Sequence, residues 1–572
     1  MGFGLQIRAR RLLKAMAISL VLTAASVGTA KLNLFGLETR SLELSDDVSQ
    51  RLGLESYAAR LGPAEGREGQ NTIRVITIDD GTVSSLRNQG WAGWPPGYQN
   101  LAMLVEDIAR PGRWMPRALF FDLLLTGQNL RSPEDQQRLA ELIEVIGGAS
   151  AALQSDYYPN GERVWGEVEA CHADPLIKLA CMVVWDGVPV IMALAPSEMH
   201  QQGPTQQALN RVALLAPVTV DHRYYPLINA DAGPTDLYPA MALYAAHCIS
   251  RIHAGHDGEC GIAAFEQAHA TALALRRGET PSFETAPAAQ LSQTIGAKPL
   301  ATLWSSEPAR EQNRLLKMVS GDQYQPCRET FVTSLGDILA LAFNRFKPKT
   351  EAVCVYTLWM PYDRLVLGLG LSDDRDYPLL LNDTVVLVGG AMSTANDTVP
   401  TPLHGRLPGV FYHAMATDNL MEFGANYRRP EHDLWFGKAD GLTIPLSFIL
   451  MAVVLYLAFS RRGLALGHFP RLIGRMPVRW AVLWIIAQMG LVLVIATVWI
   501  ALTRSIWASV PVNWLGVFGI IATALSVTAG RELVLDVEAA LHRRESRLAE
   551  LIRQTREFLD RGSDHPKRQP EE

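Results

Sequence analysis

Carboxylates stand at the ends of several apolar runs in this sequence, where they could serve a binding site. They are Asp79, Asp80, Asp122 and Asp397. Because the carboxyl ends of parallel strands line one crevice, we expect these side chains to converge if their strands adjoin. Convergent carboxylates suit a hard divalent cation such as Ca²⁺ or Mg²⁺, or a cationic small ligand. The alternative is that each acid caps a helix or holds loop backbone.

Three further features are candidates for the same site. Gly389 and Gly390 end an apolar run, so their N–H groups could approach an anion, or they form a tight turn. Trp94 precedes Pro95 and could form an aromatic surface against a ligand, although such a pair more often packs in a core. His413 is a candidate for ligand binding within the late motif block described below.

The densest group of metal-ligating residue types contains His247, His253 and His256, with Cys248 and Cys260 among them. Nitrogen and sulfur ligands could hold zinc or copper, but the spacing matches no standard zinc signature. A Cys248–Cys260 disulfide is the alternative. The sequence contains no G-x-S-x-G elbow and no H-E-x-x-H, so we expect a protein without catalytic activity.

The elements that position these residues alternate between strand and helix patterns. Strands are predicted at Arg74–Asp80, Ala118–Leu125, Val188–Leu194 and Thr384–Gly390, and helices at Gln99–Ile108, Ser132–Ile146, Asp236–Arg251 and His413–Phe423. This alternation predicts an α/β domain with a mixed, largely parallel sheet and flanking helices. The stretch 201–348 has no clear periodicity, apart from the helix near residue 240.

Four apolar stretches predict transmembrane helices, one N-terminal and three C-terminal. The positions of Arg and Lys place both chain ends in the cytoplasm. The predicted order is a cytoplasmic N-terminus at 1–11, a signal anchor at 12–30, an extracytoplasmic domain at 31–440, spans at 441–460, 478–502 and 512–529, a basic cytoplasmic loop at 461–477, and a cytoplasmic tail at 530–572. A cleaved signal peptide ending near Ala30 is the alternative to the anchor.

All six cysteines fall in the predicted outside region: Cys171, Cys181, Cys248, Cys260, Cys327 and Cys354. An even number in an oxidising compartment favours disulfides, and pairing each cysteine with its neighbour closes the shortest loops. Free buried thiols are the alternative.

The tail carries apolar residues at helical spacing: Val534, Val537, Leu541, Leu548, Leu551 and Phe558. Such a face could bind a partner protein or a second copy of the chain. A solvated helix, or one lying on the membrane, is the alternative. The net charge of −6 provides no global basic field for nucleic acid, and the low charged fraction of 19% is consistent with contact with the lipid bilayer.

Several motifs in order carry a family resemblance: the strand at 75–80, Gly90–Pro96, the strand at 118–122, Val385–Ala391, Asp397–Pro402, Pro408–Val410 and His413–Ala414. Together with the arrangement of one N-terminal and three C-terminal spans, they resemble the CHASE-type-2 extracellular sensor domain. The resemblance implies a sensor in the bacterial inner membrane, with its large domain in the periplasm or outside. Such domains usually precede a cytoplasmic kinase or cyclase, but only 42 residues follow Gly530. We therefore expect a sensor subunit that signals to a separate cytoplasmic effector; a structural membrane scaffold and, less favoured, an extracytoplasmic enzyme are the alternatives.

Overall fold

The computed structural model describes a large α/β unit and part of a C-terminal helix. The described residues are 50, 67–91, 96–109, 114–124, 133–150, 164–195, 203–218, 224–229, 235–256, 260–281, 285–295, 299–305, 308–309, 311–320, 355–368, 371, 376–392, 397–429, 542 and 544–557. The sheet lies in a compact unit that includes 46–432, and the C-terminal helix lies in a second unit.

The first part of the α/β unit contains four strands of the central sheet. In chain order its elements are α1 (Glu68–Thr72), β1 (Ile73–Ile78), α2 (Asp80–Ser85), α3 (Tyr98–Ile108), β2 (Ala118–Asp122), α4 (Pro133–Ala149), α5 (Pro175–Val184), β3 (Val190–Leu194), α6 (Pro204–Leu209) and β4 (Leu214–Pro217). Helix starts follow local chemistry. Pro133 opens α4 with Glu134 and Asp135 behind it, and the Asp174 carboxylate caps α5 by accepting from the Leu176 N–H at 2.8 Å.

The second part adds two more strands and the long helix that covers them. Its elements are β5 (Ile228–Asn229), β6 (Asp236–Leu237), α7 (Pro239–His253), α8 (Ala263–Arg276), α9 (Pro287–Ile295), α10 (Gln312–Ser320), β7 (Leu358–Pro361), α11 (Tyr362–Leu367), α12 (Asp376–Leu381), β8 (Val385–Gly390), β9 (Thr398–Thr401), β10 (Gly405–Pro408) and α13 (Gly409–Phe423).

Within the described residues, the central sheet has six strands in the order β4-β3-β2-β8-β1-β7, and every pairing in it is parallel. Strands β1 and β8 are buried at every position, as expected for parallel strands that are covered on both faces. The predicted α/β class is confirmed, and the antiparallel pairs, β5–β6 and β9–β10, lie outside this sheet. Strand β8 lies between β1 and β2, so it brings the late block next to the first two strands.

Two helices cover the strands that matter for the site. Helix α13 packs on β1 and β8, α7 packs on β2, β3 and β4, and the two helices contact each other. The helix predicted at Asp236–Arg251 begins instead at Pro239, because Asp236 and Leu237 pair with β5. The helix predicted from His413 begins four residues earlier, at Gly409.

Two of the three predicted disulfides lie in the described residues, and both are confirmed. Cys171 is bonded to Cys181 and Cys248 to Cys260, so every cysteine in the described part of the chain is paired. Cys327 and Cys354 lie outside that part, so their pairing stays a prediction.

The four predicted membrane spans all lie outside the described residues. No helix in the described part of the chain is both long and apolar enough to cross a bilayer.

Candidate functional site

Asp122 ends strand β2 with its side chain turned into the protein. Its Oδ1 lies 3.6 Å from Nε2 of His413, and the two side chains are only 9% and 8% exposed. Its other oxygen, Oδ2, is buried and has no hydrogen-bond partner in the described part of the chain. A buried carboxylate oxygen without a partner destabilises the folded state, because it loses its hydrogen bonds to water and gains none in the protein.

The register of the sheet explains why Asp122 faces helix α13. Thr77 of β1, Gly389 of β8 and Asp122 of β2 form one row, so their side-chain positions are on the same face. A Cβ on Gly389 would lie 2.5 Å from Cβ of Val410, so the missing side chain lets α13 pack directly on this row. His413 lies three residues, or about one turn, after Val410 and therefore reaches Asp122.

Thr77 is a second buried polar group of this row. Its Oγ1 has no hydrogen-bond partner in the described part of the chain. Gly389 therefore lies between two buried side-chain oxygens, one on each neighbouring strand, for which the described residues provide no hydrogen-bond partner.

Tyr225 orients the imidazole from the side opposite Asp122. The Ala240 N–H at the start of α7 donates to Tyr225 Oη at 3.2 Å, and Tyr225 Oη lies 2.5 Å from His413 Nδ1. Burial raises the pKa of Tyr225 well above its ordinary value, so the phenol keeps its proton near neutral pH. With Nδ1 beside Tyr225, Nε2 of His413 faces Asp122.

Asp397 brings a second carboxyl group to the same place. Burial, and then the charge of Asp122, raise the pKa of Asp397 to about 6, while His413 acts in the opposite direction. The Gly409 N–H donates to the Asp397 carbonyl at 3.1 Å, and a Cβ on Gly409 would lie 2.6 Å from Asp397 Oδ1. Asp397 therefore packs against the first residue of α13. We call Asp122, Asp397 and His413 the acid–histidine cluster.

The other predicted ligand residues have local roles or lie elsewhere. Asp79 caps α2 by accepting from the Thr82 N–H at 2.7 Å, and Asp80 is exposed in the first turn of that helix. Gly390 pairs with Ile78 at the end of β8. Trp94 lies outside the described residues.

The three histidines considered as metal ligands have different surroundings. His247 is buried and its Nε2 lies 3.1 Å from Glu68, whereas His253 contacts His269 at 3.1 Å near the surface. His256 ends the described stretch 235–256. No group of three or more His, Cys, Asp or Glu in the described residues is arranged to hold a metal ion.

Sequence reasoning missed Tyr225 and Thr77. Tyr225 lies in the stretch without periodicity, and only the fold brings it to His413. Thr77 carries a weak signal, as a polar residue two positions before Asp79 and between two isoleucines.

The C-terminal helix is described at residues 544–557, which agrees with the predicted tail helix. Leu548, Leu551 and Ile552 on it are each more than 60% exposed. The remaining members of the predicted apolar face, Val534, Val537, Leu541 and Phe558, lie outside the described residues.

The sequence model of one protein family, the CHASE2 domain, matches residues 18–457, which is most of the chain. The chain belongs to the CHASE2 domain family. The resemblance found in the sequence is therefore confirmed, and CHASE2 domains are sensory domains. The acid–histidine cluster lies within the matched part of this CHASE2 protein. No curated protein and no solved structure matches the chain significantly.

Proposed function

We propose that this CHASE2 protein is an integral membrane sensor subunit of a bacterial inner membrane. In this proposal the α/β domain lies outside the membrane and detects a signal at the acid–histidine cluster. The signal passes through the membrane helices and the C-terminal helix to a separate cytoplasmic effector. The observation that carries the proposal is the buried Oδ2 of Asp122, which has no hydrogen-bond partner among the described residues and lies near a second carboxyl group.

That observation favours a binding role because folding alone does not explain it. A structural acid at the end of a strand is normally satisfied by a cap or an ion pair, as Asp79 is by the backbone of α2. Asp122 instead has one oxygen beside a histidine, and its other oxygen has no hydrogen-bond partner in the ranges that the structure describes. Strained electrostatics of this kind concentrate at functional sites.

Helix α13 supplies a physical route away from the cluster. Its first half carries His413 and contacts Asp397, and its last turns carry Asp418 and Glu422. Over its fifteen residues the helix is about 22 Å long. A displacement at the first half of α13 can therefore be transmitted along a rigid helix.

The far end of α13 holds the chain segment that enters the sheet. Glu422 Oε1 accepts the Gly69 N–H at 2.9 Å, and a Cβ on Gly69 would lie 2.0 Å from Asp418 Oδ1. In the sequence, 67–72 follows the first predicted span and α13 precedes the second. A displacement of α13 thus acts on both connections to the predicted membrane helices.

The exposed apolar residues of the C-terminal helix are the proposed output surface. Leu551 and Ile552 follow Leu548 by three and four residues, which is the spacing of a docking face on a helix. A cytoplasmic effector is the proposed occupant, and a second copy of the chain is the competing one.

A crosslinking pull-down from the native membrane tests the proposal. The full chain is compared with a chain that ends at Gly530, and with Asp122→Asn and its matched control Asp383→Asn. Asp383 is 84% exposed, and asparagine tolerates its positive φ of 54°.

The proposal expects a cytoplasmic effector that is recovered with the full chain and lost without the tail. It also expects the amount recovered to change in Asp122→Asn and not in Asp383→Asn. Recovery of extracytoplasmic or membrane proteins alone, independent of the tail, contradicts signalling and supports the structural scaffold.

A further inference from the structure

Two histidines outside the acid–histidine cluster have the spacing of metal ligands. His253 is the last residue of α7, and His269 lies in the middle of α8. Nδ1 of His253 lies 3.1 Å from Nε2 of His269. The two residues are 16 positions apart in the chain, so the packing of α8 against α7 brings their rings together.

The distance between these nitrogen atoms fits one metal ion. Bonds between zinc and histidine are about 2.0–2.1 Å long, so two nitrogens 3.1 Å apart can bind the same ion with an angle of about 100° between the bonds. This angle is close to the tetrahedral value that zinc prefers. The torsion that turns an imidazole ring is broad, so rotation of the rings can aim both lone pairs at the ion.

The other ring nitrogen of His253 faces a carboxylate. His253 Nε2 lies 3.7 Å from Asp186 Oδ1, and the Arg276 guanidinium lies 3.4 Å from Asp186 Oδ2. Asp186 directly follows the end of α5 in a left-handed conformation, with φ of 59°, which aspartate tolerates better than most residues. A carboxylate beside the far nitrogen of a metal-bound histidine orients the ring and raises its basicity. Asp186 is therefore placed as a positioning residue for His253.

The pair is open to solvent and is carried by elements that are already tied together. The His253 side chain is 31% exposed, and His269 is partly exposed. The Cys248–Cys260 disulfide joins α7 to the segment that leads into α8. The C-terminal end of a helix also carries a partial negative charge, so the end of α7 favours a cation beside His253.

We propose that His253 and His269 bind one divalent transition-metal ion of the kind that imidazole ligands favour, such as Zn²⁺ or Cu²⁺. Two nitrogen–metal bonds replace two of the waters on the ion, and no redox change takes place. Water fills the remaining positions, since the described residues contain no group of three or more His, Cys, Asp or Glu that is arranged to hold a metal ion.

Helix α7 separates this pair from the acid–histidine cluster. Its second residue, Ala240, donates its N–H to Tyr225, which contacts His413, whereas His253 ends the helix. The 15 residues of α7 span about 22 Å. A bound ion therefore joins α7 to α8 at the far end of a helix that begins at the cluster. The metal site does not depend on the proposed sensor function.

Titration calorimetry with Zn²⁺ alone tests the proposal on the purified full-length chain, without a histidine tag and stripped of metal by a chelator. We expect a Zn²⁺ site whose affinity falls at least about tenfold in His253→Gln and in His269→Gln. His256→Gln is the matched control, because His256 is exposed and lies three residues after His253. Its affinity should equal that of the wild type.

Asp186→Asn tests the positioning residue. It should weaken Zn²⁺ binding about tenfold, because the charge that orients His253 is lost. Asp383→Asn is its matched control, since Asp383 also has a positive φ and is 84% exposed. Asparagine tolerates this conformation at both positions.

Electron paramagnetic resonance of the chain loaded with Cu²⁺ counts the ligands directly, because each imidazole nitrogen splits the copper signal. Two histidine nitrogens are expected in the wild type and in Asp186→Asn, and one in His269→Gln. A signal that keeps both nitrogens in Asp186→Asn while Zn²⁺ affinity falls separates orientation of His253 from local unfolding.

Equal Zn²⁺ affinity in the wild type and in both ligand variants overturns the proposal, and so does an equal loss in His256→Gln. The pair is then a hydrogen bond between two imidazoles. Circular dichroism checks that each variant folds. If a ligand variant does not fold, the nitrogen count of the wild-type copper signal decides, and fewer than two nitrogens overturns the site.

Discussion

Tyr225 and His413 are 188 residues apart in the chain, and the hydroxyl group of one meets Nδ1 of the other. This bond fixes which imidazole nitrogen faces Asp122. Since Tyr225 also accepts the Ala240 N–H, it links the start of α7 to α13. The orientation of the histidine therefore depends on the packing of two helices against the sheet.

Replacing Tyr225 with phenylalanine removes one donor and one acceptor from a buried site. We expect Tyr225→Phe to lower the free energy of unfolding by about 1–3 kcal/mol, because His413 Nδ1 and the Ala240 N–H lose their partner. Urea denaturation measures the change. Tyr238→Phe is the control, because Tyr238 is only partly buried and directly precedes α7, whose Ala240 N–H Tyr225 accepts. Equal effects of the two substitutions would contradict the assigned bond.

Gly389 is predicted to be intolerant of any side chain. Gly389→Ala places a Cβ 2.5 Å from Cβ of Val410, so α13 must move. We expect a loss of about 1–3 kcal/mol in unfolding free energy. Val410→Gly removes that Cβ, so it should cost less unfolding free energy in the Gly389→Ala background than in the wild type. Gly97→Ala is the control, since nothing lies within 4 Å of that position. Equal costs of Val410→Gly in the two backgrounds would show that Val410 is not the obstacle.

The unfolding free energy of the domain should depend on pH through the titration of Asp397. Its folded pKa of about 6 lies above the ordinary value of 3.8, so the folded state holds this proton more tightly than the unfolded state. The contribution is therefore fully present below about pH 4 and is lost as pH rises through about 6. Because the Asp397 side chain is exposed, solvent screening limits the effect. We expect the unfolding free energy of the wild type, relative to that of Asp397→Asn, to fall by about 1 kcal/mol across this window in urea titrations. A flat difference would contradict the raised pKa.

The sequence predicts some of these features and not others, for physical reasons. The segments that form β1, β2, β3 and β8 are mostly apolar and rich in β-branched or aromatic residues. The local sequence alone therefore predicts each of these strands. Strands β4 and β7 have four residues each and end in proline, too short for a pattern. Strand order is set by long-range pairing, so the insertion of β8 between β1 and β2, and with it the meeting of Asp122 and Asp397, is not encoded in any local spacing.

The contact of Glu68 with His247 should weaken in acid, which is the opposite pH dependence to that expected for Asp397. Its hydrogen bond with His247 and the nearby Arg251 hold the pKa of Glu68 at about 2, while burial lowers the pKa of His247. The stabilisation is present above pH 4.5, the ordinary value for Glu68, and is lost as pH falls through about 2. Because the Glu68 side chain is 38% exposed, solvent screening reduces the effect of Glu68→Gln at neutral pH to about 1 kcal/mol.

Urea denaturation at neutral and acidic pH tests this contact. Glu279→Gln is the control, because Glu279 pairs with Arg277 at the surface. Its unfolding free energy should match the wild type within about 0.5 kcal/mol. A Glu68→Gln variant as stable as this control at neutral pH would mean that the His247 contact does not stabilise the fold.

Substitutions on the C-terminal helix test the proposed effector-binding surface. In Leu548→Asp with Leu551→Asp, two exposed apolar side chains become charged on the same face. A leucine in a docking interface contributes about 1–3 kcal/mol, so we expect effector recovery to fall at least about tenfold while the CHASE2 domain keeps its stability. Ser546→Asp is the control for added charge, because residues two apart, such as Ser546 and Leu548, do not share a helix face. If both variants recover the effector as the wild type does, the exposed leucines are not the output surface. If the double variant loses only self-association in crosslinking, a second copy of the chain is the occupant of that face.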